Sequence, residues 1–121
     1  MIGVDPWERL EGSEEAIADH KLRGRAWIKM KMRSEEAAPK VPDESLDFVY
    51  IDGAHDFDSV MLDLILWSRK VRSGGLVGGH DYYRFKNAGV VPAVDCYTRE
   101  HNIHKWFITD ERLPSFFWMK P

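Results

Sequence analysis

Two pairs of aspartate and histidine residues follow apolar segments of the sequence. Asp52 and His55 come after the first segment, and His80 and Asp81 come after the second. Carboxylate oxygens are the ligands that Mg²⁺ prefers, and an imidazole such as that of His80 extends the set to manganese, iron or zinc. Imidazole also exchanges protons near neutral pH, as a general base must. The residue types therefore indicate a site for a divalent cation, for proton transfer, or for both.

A strand–helix–strand pattern is expected to position these four side chains. Leu46–Ile51 is an apolar run with one aspartate, which is typical of a strand buried on both faces. Apolar residues then recur at helical spacing from Phe57 to Val71, Gly74-Gly75 predicts the helix end, and Leu76-Val77 predicts a second strand. Such a unit makes two parallel strands that end at one edge of the sheet, where open α/β sheets bind their ligands.

The same residues also allow an interpretation without a ligand. Asp52 could cap the helix that follows it, and the histidines could be surface loop residues. In particular, His55 could be a residue at the helix N-terminus that bonds Asp52. A metal-dependent hydrolase could use the same aspartate and histidine set with water as nucleophile, but the sequence contains no two-metal ligand array.

The segment from residue 46 to residue 82 resembles a known family. It contains Y-I-D-G-x-H-x-F-x-x-V-x-x-D-L-x-x-W and then G-G-x-x-x-G-H-D-Y. This pattern is similar to class I S-adenosylmethionine-dependent methyltransferases, within them the branch of macrolide-sugar O-methyltransferases and cephalosporin-hydroxylase-like proteins. The resemblance implies an α/β fold with a truncated Rossmann-like sheet, mostly parallel, ending in a C-terminal antiparallel hairpin. It also implies methyl transfer from S-adenosylmethionine to a small hydroxylated molecule or sugar.

Seven residues receive roles from the resemblance and from the chemistry of methyl transfer. By the resemblance, His55 would be the general base. A divalent cation, magnesium in the first place, would be held by Asp52 and Asp81, and His80 would join them if the metal were manganese, iron or zinc. The Asp5 carboxylate would bind the ribose hydroxyls of the cofactor. Trp7 and Ser34 would lie near its adenine.

Each residue of the cofactor group also has a plain structural explanation. An aspartate before proline is common in turns, so Asp5 could serve the turn alone. Trp7 could be a partly buried packing residue, and Ser34 could cap a short helix.

The remaining elements follow from local patterns. We expect a lid-like loop at residues 83–89, a helix that Pro92 begins and that continues over 93–101, and a hairpin from two aromatic-rich runs. The other expected elements are a strand at 1–4, a helix at 13–22, a half-solvated strand at 26–33 and the hairpin runs at 104–109 and 115–119.

One element that the resemblance implies is missing. Family members begin with a strand and a glycine-rich turn, yet no Gly-x-Gly sequence precedes Asp5. We therefore expect a single methyltransferase-like domain over residues 1–121 that is N-terminally incomplete. The alternative function is a non-catalytic remnant that acts as an association module. Apolar surface where the first strand is absent predicts a homo-oligomer.

Composition limits the remaining possibilities. The 121 residues are 44% hydrophobic, which suits one globular domain, and the net charge of −3 argues against a nucleic-acid-binding protein. No apolar run approaches the ~18 residues of a membrane span, and we recognise no signal peptide. The single cysteine, Cys96, fits a reducing compartment, so we expect a cytoplasmic protein without membrane partners.

Overall fold

The computed structural model describes residues 1–8, 13–85 and 88–121. The chain divides into two compact units, an N-terminal unit of Met1–Lys40 and a C-terminal unit of Val41–Pro121. The single domain over residues 1–121 stays a prediction. Within the described residues, no helix has the length and apolar character needed to cross a membrane.

The N-terminal unit consists of two short parallel strands and two helices. Strand β1 pairs with β2 from Ile2 opposite Ile28 to Val4 opposite Met30. Helix α1 carries two glutamates in its first turn, where they favour the helix dipole. The elements in chain order are β1 (Ile2–Val4), α1 (Ser13–Lys21), β2 (Ile28–Met30) and α2 (Ser34–Ala37), followed by a 3-10 turn at Ala38–Lys40.

The second strand of this unit is shorter than the alternating pattern over residues 26–33 predicts. It forms only over Ile28–Met30, and the Ile28 side chain is 59% exposed although the pattern placed it on a buried face. In the described part of the N-terminal unit, the only buried apolar residues are Ala37 and Ala38. The unit has few buried apolar residues against which β2 could pack. The alternation of apolar and polar residues in β2 is therefore not enough to bury one of its faces.

The C-terminal unit contains a four-stranded sheet in the order β3-β4-β6-β5. Strands β3 and β4 are parallel, whereas β6 pairs antiparallel with both β4 and β5. The predicted α/β fold with parallel strands and a C-terminal antiparallel hairpin is therefore confirmed. The elements are β3 (Leu46–Ile51), α3 (Phe57–Ser68), β4 (Val71–Gly79), α4 (Val90–Glu100), β5 (Trp106–Ile108) and β6 (Phe116–Met119).

The core of the C-terminal unit lies between one face of this sheet and the helices. Val77 pairs directly with Trp118, and these two side chains are 0% and 1% exposed. On the helix side, Leu64 of α3 is fully buried, and Tyr97 of α4 stacks on Trp118 with ring centroids 5.8 Å apart. Each large apolar side chain buried in this way contributes about 1.5–3 kcal/mol.

The boundary between α3 and β4 differs from the prediction. The helix ends at Ser68, and Val71, predicted on the helix, begins β4 opposite Leu46. The register shifts between Leu46 and Phe48, where β4 bulges through residues 72–75. Gly74 has φ 74°, the left-handed conformation that glycine adopts without strain. The two glycines therefore serve a bulge inside a strand rather than a helix end.

The start of α4 also lies earlier than expected. The helix begins at Val90 with Gly89 at its N-cap, two residues before the predicted first residue, Pro92. The predicted lid includes Lys86 and Asn87, which lie outside the described residues.

The ends of β3 and β4 place the next residues side by side. Ile51 pairs with Gly79, and the His80 amide donates to the Ile51 carbonyl at 3.0 Å. A Cβ on Gly79 would lie 2.6 Å from that carbonyl oxygen and 2.5 Å from the Phe116 ring. The glycine therefore permits the close approach from which Asp52 and His80 leave the sheet together.

Candidate functional site

Three of the predicted metal-binding side chains converge at the carboxyl ends of β3 and β4. Asp52, His80 and Asp81 each offer one ligand atom, and these atoms lie within 4.8 Å of one another. The Nδ1 atom of His80 is 3.3 Å from Asp81 Oδ1 and 3.9 Å from Asp52 Oδ1. Two carboxylates and one imidazole are a donor set that suits a divalent cation, so the residues present fit such a group.

Asp81 is the most constrained member of this cluster. It is 9% exposed and has φ 59°, a left-handed conformation that aspartate tolerates better than most residues. The next residue anchors the turn, because the Tyr82 amide donates to the Pro114 carbonyl at 2.8 Å and its hydroxyl donates to Asp95 at 2.6 Å. Burial and the Asp95 carboxylate raise the pKa of Tyr82, so this hydroxyl stays a donor.

His55 contacts Asp81 rather than Asp52. Its Nε2 atom lies 3.0 Å from Asp81 Oδ2, while the side chain is 50% exposed. The alternative in which His55 bonds Asp52 is therefore wrong. The alternative in which Asp52 caps α3 is wrong as well, since Asp56 is the N-cap and accepts from the Ser59 amide at 3.0 Å.

The contact between His55 and Asp81 defines what this imidazole can do. If Nε2–H donates to the carboxylate, Nδ1 carries the lone pair and can accept a proton. Asp81 then uses Oδ2 to orient the base and Oδ1 to face His80. Outer partners of this kind commonly fix the orientation of both ligands and bases.

The cavity at this cluster is small. Its volume is about 10 Å³, and its walls include Asp52, His55 and His80. This volume holds roughly one water or one ion. An organic ligand must therefore approach the cluster from the open surface rather than enter the cavity.

The loop between β5 and β6, which joins the two predicted hairpin runs, carries a hydrogen-bonded carboxylate, that of Glu111. The Thr109 hydroxyl, donating to Glu111 at 2.5 Å, holds the pKa of that carboxyl below its usual value. Ser115, also bonded to Glu111, shares a hydrogen bond of 2.9 Å with the Tyr50 hydroxyl. The sequence predicts the hairpin that contains this loop, but the position of the hairpin in the sheet depends on the pairing of β4 with β6.

Two of the predicted cofactor-binding residues contact each other in the N-terminal unit. Asp5 is exposed and follows β1, and its Oδ1 accepts from the Trp7 amide at 2.6 Å. Trp7 has φ 49°, and Lys29 Nζ lies 5.8 Å from its ring centroid. The turn alternative for Asp5 therefore holds, and the carboxylate also stays at the surface where a ligand could reach it.

Ser34 is the first residue of α2, and Arg33 occupies the N-cap position. Ser34 is therefore not the N-cap residue of α2, which lies one position earlier. A cleft of about 390 Å³ lies near this end of the unit, a size typical of small-molecule sites. Its lining does not include Asp5, Trp7 or Ser34, but consists of Pro6, Glu8, Lys31, Met32, Arg33 and Glu36.

The predicted site residues thus form two groups. Asp52, His55, His80 and Asp81 lie together in the C-terminal unit. The three cofactor-binding candidates belong to the N-terminal unit.

Comparison with known protein families gives a match to a methyltransferase domain over residues 1–82, more than half of the chain. The matched range contains all seven predicted site residues. No curated protein sequence matches the chain.

Solved structures share the fold. The O-methyltransferase NovP is 23% identical with a TM-score of 0.67, over 88% of this chain and 42% of NovP. A protein from Corynebacterium glutamicum is 14% identical with a TM-score of 0.69, covering 98% of this chain and 59% of its own. A SAM-dependent methyltransferase from Leishmania major is 12% identical with a TM-score of 0.65, covering 98% of this chain and 54% of its own. The chain therefore spans about half the length of these proteins.

Proposed function

Because the chain belongs to the methyltransferase domain family, we propose that it transfers the methyl group of S-adenosylmethionine to a hydroxyl of a small molecule or sugar. The observation that carries this proposal is the convergence of Asp52, His80 and Asp81, with His55 bonded to Asp81, at the ends of two parallel strands. Ligands of open α/β sheets bind at this edge.

The proposed reaction forms an oxygen–carbon bond as the sulfur–carbon bond breaks, and it releases the proton of the hydroxyl. When bound, S-adenosylmethionine supplies the methyl group and a divalent cation supplies positive charge beside the acceptor oxygen. His55 takes the hydroxyl proton on Nδ1, because its Nε2 faces Asp81 at 3.0 Å. Asp81 holds the imidazole in the orientation that this transfer requires.

The cation would be held by the three clustered side chains. Magnesium suits Asp52 and Asp81, and it is the first choice if these carboxylates act alone. The His80 Nδ1 atom lies within the cluster, and a nitrogen ligand favours manganese or another transition metal over magnesium. We therefore propose that manganese binds more tightly than magnesium.

The proposed cofactor-binding residues belong to the N-terminal unit. Asp5 would accept two hydrogen bonds from the ribose hydroxyls, with Trp7 and Ser34 near the adenine. The support for this is the exposed Asp5 carboxylate at the end of β1 and a cleft of suitable size lined by neighbouring residues.

Calorimetric titration tests this function directly. S-adenosylmethionine is added to the chain with and without Mn²⁺ or Mg²⁺, and the same titration is run on Asp5→Asn and on a matched control, Glu14→Gln, an exposed acid of α1. We expect binding by the native chain and the control, and at least about tenfold weaker binding by Asp5→Asn, which loses charged hydrogen bonds. Absence of binding at millimolar cofactor would contradict the proposal for this chain.

A second candidate function is association without catalysis. On the sheet face opposite the core, Phe48, Phe107 and Met119 are 48%, 57% and 57% exposed. With Tyr50 and Phe117 they form an apolar surface across three strands, because Tyr50 is level with Gly78, Phe117 and Phe107. Apolar patches of this kind commonly mark protein interfaces.

We propose that this face pairs two copies of the chain as a homo-oligomer. Sedimentation should give a dimer or larger species for the native chain and a monomer for Phe48→Ser/Phe107→Ser. A double substitution on the exposed surface of α3, Leu62→Ser/Ile65→Ser, is the matched control and should leave the mass unchanged. A native monomer at high concentration would contradict association, whatever the result of the cofactor titration.

A further inference from the structure

The start of α4 contacts the backbone that carries His55. Gly89, the N-cap of α4, donates its amide hydrogen to the His55 carbonyl at 2.7 Å. Its own carbonyl accepts from the Ala93 amide at 3.0 Å, which makes this residue part of the first turn of α4. The helix therefore holds the chain segment before α3 through main-chain atoms.

The contact is closer than any side chain allows. A Cβ on Gly89 would lie 2.0 Å from the amide nitrogen of Phe57, 2.4 Å from its Cα and 2.7 Å from the carbonyl carbon of Asp56. All three atoms are backbone, so none can move as a side chain would. Gly89 has φ −95°, an ordinary value, and glycine is therefore required by the lack of space rather than by the dihedral angle.

His55 depends on its backbone for its position. Its side chain is half exposed, so packing does little to hold the ring. Two contacts hold the backbone at and just after His55, since Gly89 donates to the His55 carbonyl and the Asp56 side chain caps α3 by accepting from the Ser59 amide. From this position the His55 side chain reaches Asp81, with Nε2 3.0 Å from Oδ2.

We propose that Gly89 is a positioning residue that holds His55 against Asp81. It acts without touching either side chain, by fixing the His55 backbone through one hydrogen bond and one glycine-specific close contact. The catalytic part of this inference rests on the proposed methyl transfer, while the structural part does not.

The structural test compares Gly89→Ala with Gly53→Ala. Gly53 lies in the same turn, but a Cβ there would meet only a terminal side-chain oxygen, that of Asp63 at 3.3 Å. Imidazole ¹⁵N spectra at one fixed pH, assigned with His55→Gln, report which ring nitrogen of His55 carries hydrogen. We expect the single Nε2–H form in the native chain and in Gly53→Ala, and a mixture of tautomers in Gly89→Ala. An unchanged Nε2–H form in Gly89→Ala would overturn the inference.

A second variant covers the case in which Gly89→Ala does not fold, which far-ultraviolet circular dichroism detects. Replacing Gly89 with glycolic acid by semisynthesis converts its amide to an ester, removing the N–H donor without adding bulk. If the hydrogen bond positions His55, this ester variant should show a mixture of His55 tautomers in which the Nε2–H form is still the larger part. A spectrum identical to that of the native chain would show that the hydrogen bond does not position His55.

The catalytic test uses a double-variant comparison. We expect Gly89→Ala to lower kcat by about 100-fold, the size of effect that a 1 Å displacement of a reacting group produces. Gly89→Ala combined with His55→Gln should be no slower than His55→Gln alone. Additive losses would overturn the positioning role. If the native chain transfers no methyl group, the proposed function fails, and the nitrogen spectra still decide the inference.

Discussion

The two units of the chain differ in the contacts that stabilise each of them internally. The C-terminal unit has a strand of nine residues and buries Phe116 and Trp118 to 1% exposure. The N-terminal unit has strands of three residues and, on its surface, a cluster of ion pairs in which Lys29 contacts Glu15 at 2.9 Å and Asp19 at 2.8 Å. Its buried apolar residues, within the part the structure describes, are two alanines.

This difference bears on the two groups of predicted site residues, each of which belongs to one unit. Burial of one large apolar side chain stabilises a fold by about 1.5–3 kcal/mol, whereas an exposed ion pair contributes about 0–1 kcal/mol. The aspartate and histidine cluster therefore lies on strands that a buried apolar core stabilises. Asp5 and Trp7 are fixed mainly by their own turn. We expect the aspartate and histidine cluster to be preorganised, and Asp5 and Trp7 to gain order when a ligand binds.

The largest effect is expected from the core of the C-terminal unit. Trp118→Ala removes a side chain that stacks on Phe116 at 5.6 Å and on Tyr97 at 5.8 Å. We expect a loss of about 3–5 kcal/mol in the free energy of unfolding, measured by urea denaturation. Trp27→Ala, at a half-buried position in the N-terminal unit, should cost at most about 1 kcal/mol. Equal losses of unfolding free energy in Trp118→Ala and Trp27→Ala would contradict the difference in core packing between the two units.

The metal cluster should show the next largest effect. Asparagine tolerates the left-handed backbone of Asp81 but lacks its charge, so Asp81→Asn should keep the fold. Its affinity for Mn²⁺, measured by titration calorimetry, should fall at least about tenfold, since even outer partners of metal sites cost that much. Asp58→Asn, an exposed carboxylate on α3, is the matched control and should bind as the native chain does. Unchanged affinity in Asp81→Asn would leave the cluster without a metal role.

The helix cap beside His55 gives a smaller effect that depends on pH. The Ser59 amide lowers the pKa of Asp56, so its stabilisation is present above the unfolded pKa of about 3.9 and is lost as the pH falls through the lower folded value. Asparagine also caps helices but carries no charge. Between about pH 5 and pH 3, the Tm of the native chain should therefore fall more steeply than that of Asp56→Asn. Parallel Tm curves would contradict this assignment.

The smallest effect is expected on the surface of the N-terminal unit. Hydrogen bonds from Lys31 and Lys29 lower the pKa of Glu15. Exposed ion pairs stabilise little and are screened by salt, so Glu15→Gln should change the Tm by less than about 2 °C, and this difference should vanish in about 1 M NaCl. A larger change that persists in salt would mean that the ion pairs are a main support of this unit.

Local sequence patterns predict the parts of the fold that depend on near neighbours. Leu46–Ile51 forms a strand over the predicted residues, although the face that carries Phe48 and Tyr50 is exposed and not buried as predicted. The parallel register that follows brings Asp52 beside His80. The end of α3 is predicted wrongly, because Gly74 fits a helix end and a strand bulge equally well by type. Only pairing with β3 decides between them.

Tertiary contacts determine the rest of the site. The partner of His55 depends on the left-handed turn at Asp81, which no spacing rule specifies. The need for glycine at position 89 depends on the approach of α4 to the start of α3. Sequence reasoning could propose His55 as a base, but it could not identify the two contacts that orient it.

The backbone at Asp81 bears on how this position could change during evolution. Glycine adopts a φ of 59° without strain, and asparagine adopts it about as well as aspartate does. Either replacement would keep the turn while removing the negative charge of residue 81, one of the two carboxylates in the cluster. A descendant that had drifted to asparagine or glycine would retain this architecture and would be indistinguishable by shape from its charged ancestor. The turn alone therefore gives no reason for a carboxylate here, and the ionic character of residue 81 must be explained by what it contacts.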